Sequence, residues 1–174
     1  MYNKTNSKKK KTSRIINIKK KSIDKKLKID KINNKSFSSI FGNELYKGND
    51  LLNTDIALKN KIVLVYYSAD WCPPCRKLTP LLIEFYNKFH KSKGFEIVLI
   101  SKDRTYYDYM NYYNKMPWLS LPFGKELLTN LNYNYSFIPQ IVILDKNQNL
   151  INSIAQNDFY NDLEGNNFPW FSNK

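Results

Sequence analysis

The chain is poor in cysteine and histidine, with two Cys and one His among its 174 residues. It also has no long apolar stretch. A tetrahedral zinc site needs four ligands, usually two CxxC pairs or one pair with two histidines, so Cys72, Cys75 and His90 are too few within one chain. No run of about 7 to 15 apolar residues follows Met1, and no stretch of about 20 could span a bilayer. We therefore expect a soluble intracellular protein with no metal and no membrane span.

Acidic residues are scarce at the N-terminus. Residues 1–36 contain fourteen Lys or Arg against Asp24 and Asp30, whereas residues 37–174 contain fourteen against thirteen. Such dense charge with scattered apolar residues predicts a disordered Lys-rich tail over 1–36, followed by one domain over 37–174. The basic run at 8–14 is either a nuclear localisation patch, a contact to nucleic acid or another polyanion, or a solvated extension. The expected location is the cytoplasm, with the nucleus as the alternative.

Two apolar runs predict buried strands at 61–67 and 95–101, because both are rich in β-branched and aromatic residues. Between them, apolar residues at helical spacing predict a helix that ends at Gly94. Strand, helix and strand at this spacing form a βαβ unit, so the two strands are expected to be parallel.

The rest of the chain extends this pattern. We predict a helix over residues 105–116 and a short helix over 124–131. The apolar runs on either side of residues 145–149 predict an antiparallel hairpin. The sequence thus predicts an α/β fold with a central mixed sheet and helices on both faces. Tyrosines at 109, 112 and 113 share one helical face with Met116, so we interpret them as core rather than as a base-stacking stripe.

The segment DWCPPCRKLTP, residues 70–80, holds both cysteines directly after the first strand of the βαβ unit. This is the context in which CxxC indicates a redox motif. At a helix N-terminus the macrodipole favours the Cys72 thiolate, which can attack a disulfide, and Cys75 one turn later can release the product. A purely structural disulfide is the weaker interpretation, because a loop this short stabilises the fold by only about 2 kcal/mol and is reduced in the cytosol.

Three prolines mark the same segment. Pro73 and Pro74 occupy the first helical turn, where the N–H groups have no intrahelical acceptor, and their fixed φ presets the helix start. Neither can donate to the Cys72 sulfur, so the Cys75 amide and thiol are the nearest donors. Pro80 lies further along and is expected to kink the helix.

Four segments resemble the tryparedoxins and nucleoredoxins, a group with the thioredoxin fold. They are YYSADWCPPCRKLTPLLIEFYNKF at 66–89, KMPWLSLPF at 115–123, IPQIVILD at 138–145 and EGNNFPW at 164–170. The resemblance implies a thiol-disulfide oxidoreductase, specifically a protein-disulfide reductase, with no cofactor beyond the Cys72–Cys75 disulfide. It also implies disulfide-bearing protein partners such as peroxidases, a dithiol or glutathione-type reductant, and a monomer. The alternative is a redox-sensitive binding module.

The resemblance also assigns roles to single residues. Cys72 would attack, Cys75 would resolve the mixed disulfide, and Trp71 would cover the thiolate. Pro139 matches the family's cis-proline, and it would bind substrate main chain together with Ile138. The supporting positions implied are Pro73, Pro74, Tyr66 and Asp103. Tyr66 stands where thioredoxins have a buried Asp, and Asp103 is the candidate for proton transfer.

Overall fold

The computed structural model describes residues 36–125 and 136–172. Nearly all of the predicted N-terminal tail, and the predicted helix at 124–131 apart from its first two residues, lie outside the described residues. Within them, seven strands form one sheet: β1 (Glu44–Lys47), β2 (Asp50–Asn53), β3 (Ile62–Ser68), β4 (Phe95–Ser101), β5 (Leu119–Ser120), β6 (Gln140–Leu144) and β7 (Leu150–Asn152). The helices described are α1 (Ser38–Phe41), α2 (Thr54–Ala57), α3 (Pro73–Lys93), α4 (Tyr106–Tyr113) and α5 (Gln156–Asn161).

The sheet has the strand order β2-β1-β5-β4-β3-β6-β7 and is mixed, as predicted. β3 and β4 are parallel and joined by α3, which confirms the βαβ unit. β6 runs antiparallel to β3, and β7 completes the predicted hairpin with β6. The N-terminal hairpin of β1 and β2 was not predicted, because these strands are short and mostly exposed and carry no apolar alternation.

Each face of the sheet has its own hydrophobic core. Leu64 and Tyr66 of β3 point into the core that packs against α3 and α4, whereas Val63 and Val65 point into the core that packs against α1. Successive strand residues point to opposite faces, so a strand covered on both faces needs a continuous apolar run. The burial of β3 thus explains the pattern at 61–67, and the predicted fold class is confirmed.

Helix α3 carries the cysteine segment and spans 21 residues. It begins after Cys72, with prolines in its first two positions, and continues through Pro80. Gly94 ends it in the left-handed conformation, with φ 66°, and donates its N–H to the His90 carbonyl. The predicted start and end of this helix are both confirmed.

Helix α4 is shorter than predicted and ends at Tyr113. Tyr109, Tyr112 and Tyr113 are buried, while Tyr106 and Tyr107 are exposed, so the tyrosine-rich helix does pack one face on the sheet. Within the described parts of the chain, no helix combines the length and the apolar character needed to cross a membrane.

The C-terminal segment folds back onto α3. Phe168 and Trp170 lie 6.0 and 5.5 Å from the ring of Phe85, measured between ring centroids, and the Phe168–Pro169 bond is cis. Gly165 has a φ of 64° and approaches Phe85 so closely that a Cβ would lie 2.8 Å from a ring carbon. Only glycine fits this turn without strain.

Candidate functional site

The two cysteines lie where β3 ends and α3 begins. Cys72 and Cys75 form a disulfide, with 5.2 Å between their Cα atoms. Cys72 is the residue that caps the helix, with extended backbone, and its sulfur accepts the Cys75 N–H at 3.4 Å. Cys75 is fully buried, while Cys72 is 4% exposed. A partner can therefore reach the sulfur of Cys72 more easily than that of Cys75.

Pro73 and Pro74 occupy the two helical positions between the cysteines. A capping side chain usually accepts from the second or third helical N–H, and Pro74 at the second position has none. The third N–H belongs to Cys75, which is the donor observed. At this helix start the backbone donor to the Cys72 sulfur is therefore the Cys75 N–H.

Ile138 and Pro139 approach this sulfur from the segment that precedes β6, the strand next to β3. Their peptide bond is cis, and the Ile138 carbonyl oxygen lies 3.8 Å from the Cys72 sulfur. Ile138 also packs against the small apolar cluster formed by Ala69 and the two cysteines. The sequence-predicted pair Ile138 and Pro139 is thus brought next to the Cys72 sulfur.

Trp71 stands beside the disulfide with about half of its side chain exposed (49%). Its indole N–H donates to the Lys102 carbonyl at 2.9 Å. The guanidinium carbon of Arg104 lies 5.4 Å from the ring centroid, a cation–π contact. The ring is therefore held in place by the segment that follows β4.

Asp103 is buried in that same segment. Its carboxylate accepts the Asp70 backbone N–H and the Ser101 hydroxyl, both at 2.8 Å. Burial raises the pKa of Asp103, although these hydrogen bonds act in the opposite direction. The carboxylate thus fastens the loop that leads into Trp71 and Cys72.

Tyr66 lies beneath Cys75 in a buried group of four hydroxyls, which we call the hydroxyl cluster: Tyr66, Ser68, Thr79 and Tyr112. Thr79 donates to the Cys75 carbonyl at 2.9 Å and bonds to both tyrosine hydroxyls. Tyr112 also bonds to Ser68 at 2.9 Å. Burial raises the pKa of the Tyr66 phenol, which stays neutral. The cluster therefore surrounds the turn of Cys75 with uncharged groups.

Three members of this site, Ser68, Thr79 and Tyr112, were not predicted from the sequence. Each looked like an ordinary position: Ser68 ends a strand, Thr79 is inside a helix and Tyr112 belongs to a core-facing stripe. Their hydroxyls meet only because β3, α3 and α4 pack together. The helical face of Tyr112 was a usable signal for its burial, but no local pattern gives its partner.

Within 36–125 and 136–172, no group of three or more His, Cys, Asp or Glu side chains is arranged to hold a metal ion. His90, in the last turn of α3, instead stacks on Tyr86, with ring centroids 4.2 Å apart.

Comparisons with known proteins agree with this geometry. A family model described as thioredoxin-like matches residues 60–150. Tryparedoxin of Trypanosoma brucei brucei is 42% identical over 118 residues, which cover 66% of this chain and 82% of that protein. Nucleoredoxin of Xenopus laevis is 36% identical over 140 residues, covering 78% of this chain but 34% of that protein. The chain therefore spans about a third of the nucleoredoxin it matches.

Solved structures give the same result. Tryparedoxin I from Leishmania major superimposes with a TM-score of 0.72 and 39% identity, covering 76% of this chain and 94% of that one. A tryparedoxin II solved in complex with glutathionylspermidine superimposes with a TM-score of 0.71 and 36% identity, covering 75% and 93%.

Proposed function

Since the chain belongs to the thioredoxin-like family of tryparedoxins and nucleoredoxins and is a thiol-disulfide oxidoreductase, we propose that it reduces protein disulfides, with Cys72 attacking and Cys75 resolving. The observation that supports these roles is the position of the Cys72 sulfur. It caps α3, receives the Cys75 amide at 3.4 Å and lies 3.8 Å from the Ile138 carbonyl. A helix N-terminus and a backbone N–H both favour a thiolate there.

The reaction has two exchange steps. In the first, the Cys72 thiolate attacks one sulfur of the substrate disulfide, a new S–S bond joins Cys72 to the substrate, and the other substrate sulfur leaves as a thiolate that is protonated by solvent. In the second, Cys75 loses its proton and attacks the Cys72 sulfur. The remaining substrate sulfur leaves, the Cys72–Cys75 disulfide forms, and two electrons have passed to the substrate.

The proton from Cys75 needs an acceptor, because this thiol is buried. We assign that role to Asp103 for two reasons. Burial raises its pKa, so the carboxyl exchanges a proton closer to neutral pH than an exposed aspartate. Its carboxylate also lies against the backbone of Asp70, two residues before Cys72. The hydroxyl cluster, which includes Tyr66, positions Cys75 without accepting a proton.

The surrounding residues bind the substrate in this proposal. The Ile138–Pro139 backbone pairs with substrate main chain next to the attacked sulfur, and Pro73 and Pro74 keep the helix start rigid. Trp71 shields the Cys72 thiolate in this proposal. The hydrogen bond from its indole N–H to the Lys102 carbonyl holds the ring in position. The disulfide itself is the redox group, and the proposal includes no further cofactor or metal.

The proposed partners are disulfide-bearing proteins such as peroxidases, and a dithiol or glutathione-type reductant. The solved tryparedoxin bound to glutathionylspermidine supports the second class. We propose a monomer in the cytoplasm or nucleus, with residues 37–174 as the catalytic domain. Contact with nucleic acid is proposed only for the Lys-rich residues 1–36.

The test is a trapping experiment. Cys75→Ser is expected to capture substrate proteins as mixed disulfides through Cys72, while Cys72→Ser captures none and loses insulin-disulfide reduction. The alternative, a redox-sensitive binding module, is not favoured by the comparisons. Partners that stay bound after both thiols are replaced would favour the binding module instead. Unchanged turnover in Cys72→Ser would contradict the proposed role of Cys72 as the attacking cysteine.

A further inference from the structure

Trp71, the residue before the attacking cysteine, is held by two contacts on different parts of its ring. Its indole N–H donates to the Lys102 carbonyl at 2.9 Å, and the guanidinium carbon of Arg104 lies 5.4 Å from the ring centroid. The hydrogen bond fixes one edge of the ring but still lets its plane tilt about that bond. The cation restricts this tilt, because the attraction requires the face of the ring to be turned toward the charge.

The segment that supplies both contacts is itself fixed to this end of the sheet. The Lys102 N–H donates at 2.8 Å to the carbonyl of Ser68, the last residue of β3. The buried Asp103 carboxylate then accepts the Asp70 N–H at 2.8 Å. Arg104 thus begins from backbone that is tied down on both sides of Trp71, although its own side chain is exposed.

The face of Trp71 is the contact that the structure records for the Arg104 side chain. Within the part of the chain that the structure describes, Arg104 belongs to no ion pair. The two carboxylates nearest to it along the chain, Asp103 and Asp108, accept hydroxyls of their own neighbours at 2.8 and 2.7 Å. A role for Arg104 through the Trp71 ring therefore needs no excess of positive charge at this end of the sheet.

The orientation of the Trp71 ring matters because of where the ring is. It is 49% exposed and directly precedes Cys72, so a polypeptide whose disulfide reaches the Cys72 sulfur comes to lie beside it. Tryptophan is among the residues that contribute most to binding at protein interfaces. A side chain that is already ordered also loses less conformational entropy when the partner binds. A fixed Trp71 ring is therefore a preorganised contact for the substrate.

We propose that Arg104 is a positioning residue for substrate binding: its guanidinium holds the Trp71 ring in the orientation that contacts the polypeptide around the target disulfide. This inference rests on the proposed reductase function and adds a residue that determines substrate affinity. Arg104 acts through Trp71 and takes part in neither exchange step. A contact made equally before and during the reaction changes KM and leaves kcat unchanged.

The first measurement is the kinetics of insulin-disulfide reduction, with dithiothreitol as the reductant. Arg104→Gln removes the cation and should raise the KM for insulin about twofold to fivefold, with kcat close to its original value. Arg104→Lys keeps a cation and should recover part of this loss. In a Trp71→Leu background, Arg104→Gln should change KM no further, because the aromatic face on which it acts is gone.

The second measurement follows the ring itself and needs no substrate. The other two tryptophans are buried, so the fast part of the fluorescence anisotropy decay reports mainly the local motion of Trp71. We expect the amplitude of this fast part to increase in Arg104→Gln. Arg76→Gln is the matched control, because Arg76 is also exposed but donates to the Asp70 carbonyl at 3.2 Å. It should leave the amplitude unchanged.

The proposal fails if Arg104→Gln has the same KM as the unmodified protein, or the same anisotropy decay. It also fails if Arg104→Gln raises KM equally with and without the Trp71 ring, since the charge itself would then be responsible. An unmodified protein that does not reduce insulin would contradict the reductase function instead. In that case the anisotropy decay would still decide whether Arg104 holds the ring.

Discussion

The backbone amide of Cys75 points at the sulfur of Cys72, with 3.4 Å between nitrogen and sulfur. Cys72 caps α3, so its sulfur takes the place of the oxygen that a serine or aspartate usually provides at a helix start. A thiolate gains from this position and a disulfide gains less, because the N–H and the helix dipole interact most strongly with full negative charge. The same local geometry therefore both starts the helix and activates the nucleophile.

Thr79 connects this turn to the core, and we expect Thr79→Val to lower the free energy of unfolding by roughly 1–3 kcal/mol. The change keeps the shape of the side chain. It removes the bond to the Cys75 carbonyl and leaves the buried Tyr66 and Tyr112 hydroxyls with fewer partners. Urea unfolding followed by circular dichroism measures the loss.

Thr79→Ser is the matched control for this prediction. It keeps the hydroxyl and removes only a methyl group, so it should cost about 1 kcal/mol. Equal losses for the Val and Ser variants would show that the hydroxyl cluster contributes nothing beyond packing at this site.

The raised pKa of the Asp103 carboxyl predicts that the free energy of unfolding depends on pH. Burial raises its pKa in the folded protein above the unfolded value, so the folded state binds more protons between the two values. Its favourable contribution is therefore complete below about pH 4, the unfolded value, and is lost as the pH rises through the folded pKa. Asp103→Asn, which keeps an acceptor for the Asp70 amide, should remove this decline.

The measurement is urea unfolding at a series of pH values for both proteins. The difference in unfolding free energy between Asp103→Asn and the unmodified chain should grow in favour of the variant as the pH rises from about 4 to neutrality. A difference that stays constant with pH would mean that the Asp103 carboxyl titrates as it does in the unfolded chain.

Gly165 and Gly94 form a natural pair for a stability test. Both have positive φ, 64° and 66°, but a Cβ at Gly165 would collide with Phe85, while nothing lies within 4 Å of one at Gly94. Gly94→Ala should therefore cost about 1–2 kcal/mol for the backbone alone. Gly165→Ala should cost about 1–3 kcal/mol more because of the collision. Equal losses would mean that the Phe85 ring moves aside freely.

Much of the fold follows from local patterns. The run at 61–67 and that at 95–101 are buried on both sides, which requires continuous apolar residues, and Gly94 gives the helix between them a defined end. The strands β1, β2 and β5 lack such a pattern. β5 has two residues, and its place in the sheet comes from pairing with β1 and β4, which no local sequence specifies.

The candidate site also has one part that the local sequence predicts and another part that it does not. The cysteines and prolines are adjacent in sequence, so their geometry is that of a helix start and could be predicted. The hydroxyl cluster joins Tyr66 to Tyr112 across 46 positions through Thr79, and a cation–π contact joins Arg104 to Trp71 across 33. Such contacts depend on how helices pack on the sheet, and composition alone does not determine them.

Pro74 offers the sharpest test of the relationship between Cys75 and Cys72. Pro74→Ala restores an N–H at the second helical position, where a capping side chain usually finds a donor. A second hydrogen bond to the Cys72 thiolate should stabilise the reduced form by about 1.4 kcal/mol and raise the reduction potential by about 30 mV. Equilibration in glutathione redox buffers, followed by quantification of free thiols, gives the potential.

Pro73→Ala is the control for this shift. It removes a proline from the same turn, and therefore changes chain rigidity by a similar amount, but the N–H that it restores belongs to the first helical position, which capping side chains use less. The potential of Pro73→Ala should stay close to that of the unmodified protein. Equal shifts in the two variants would assign the effect to lost rigidity, and a shift in neither would show that one amide already satisfies the Cys72 sulfur.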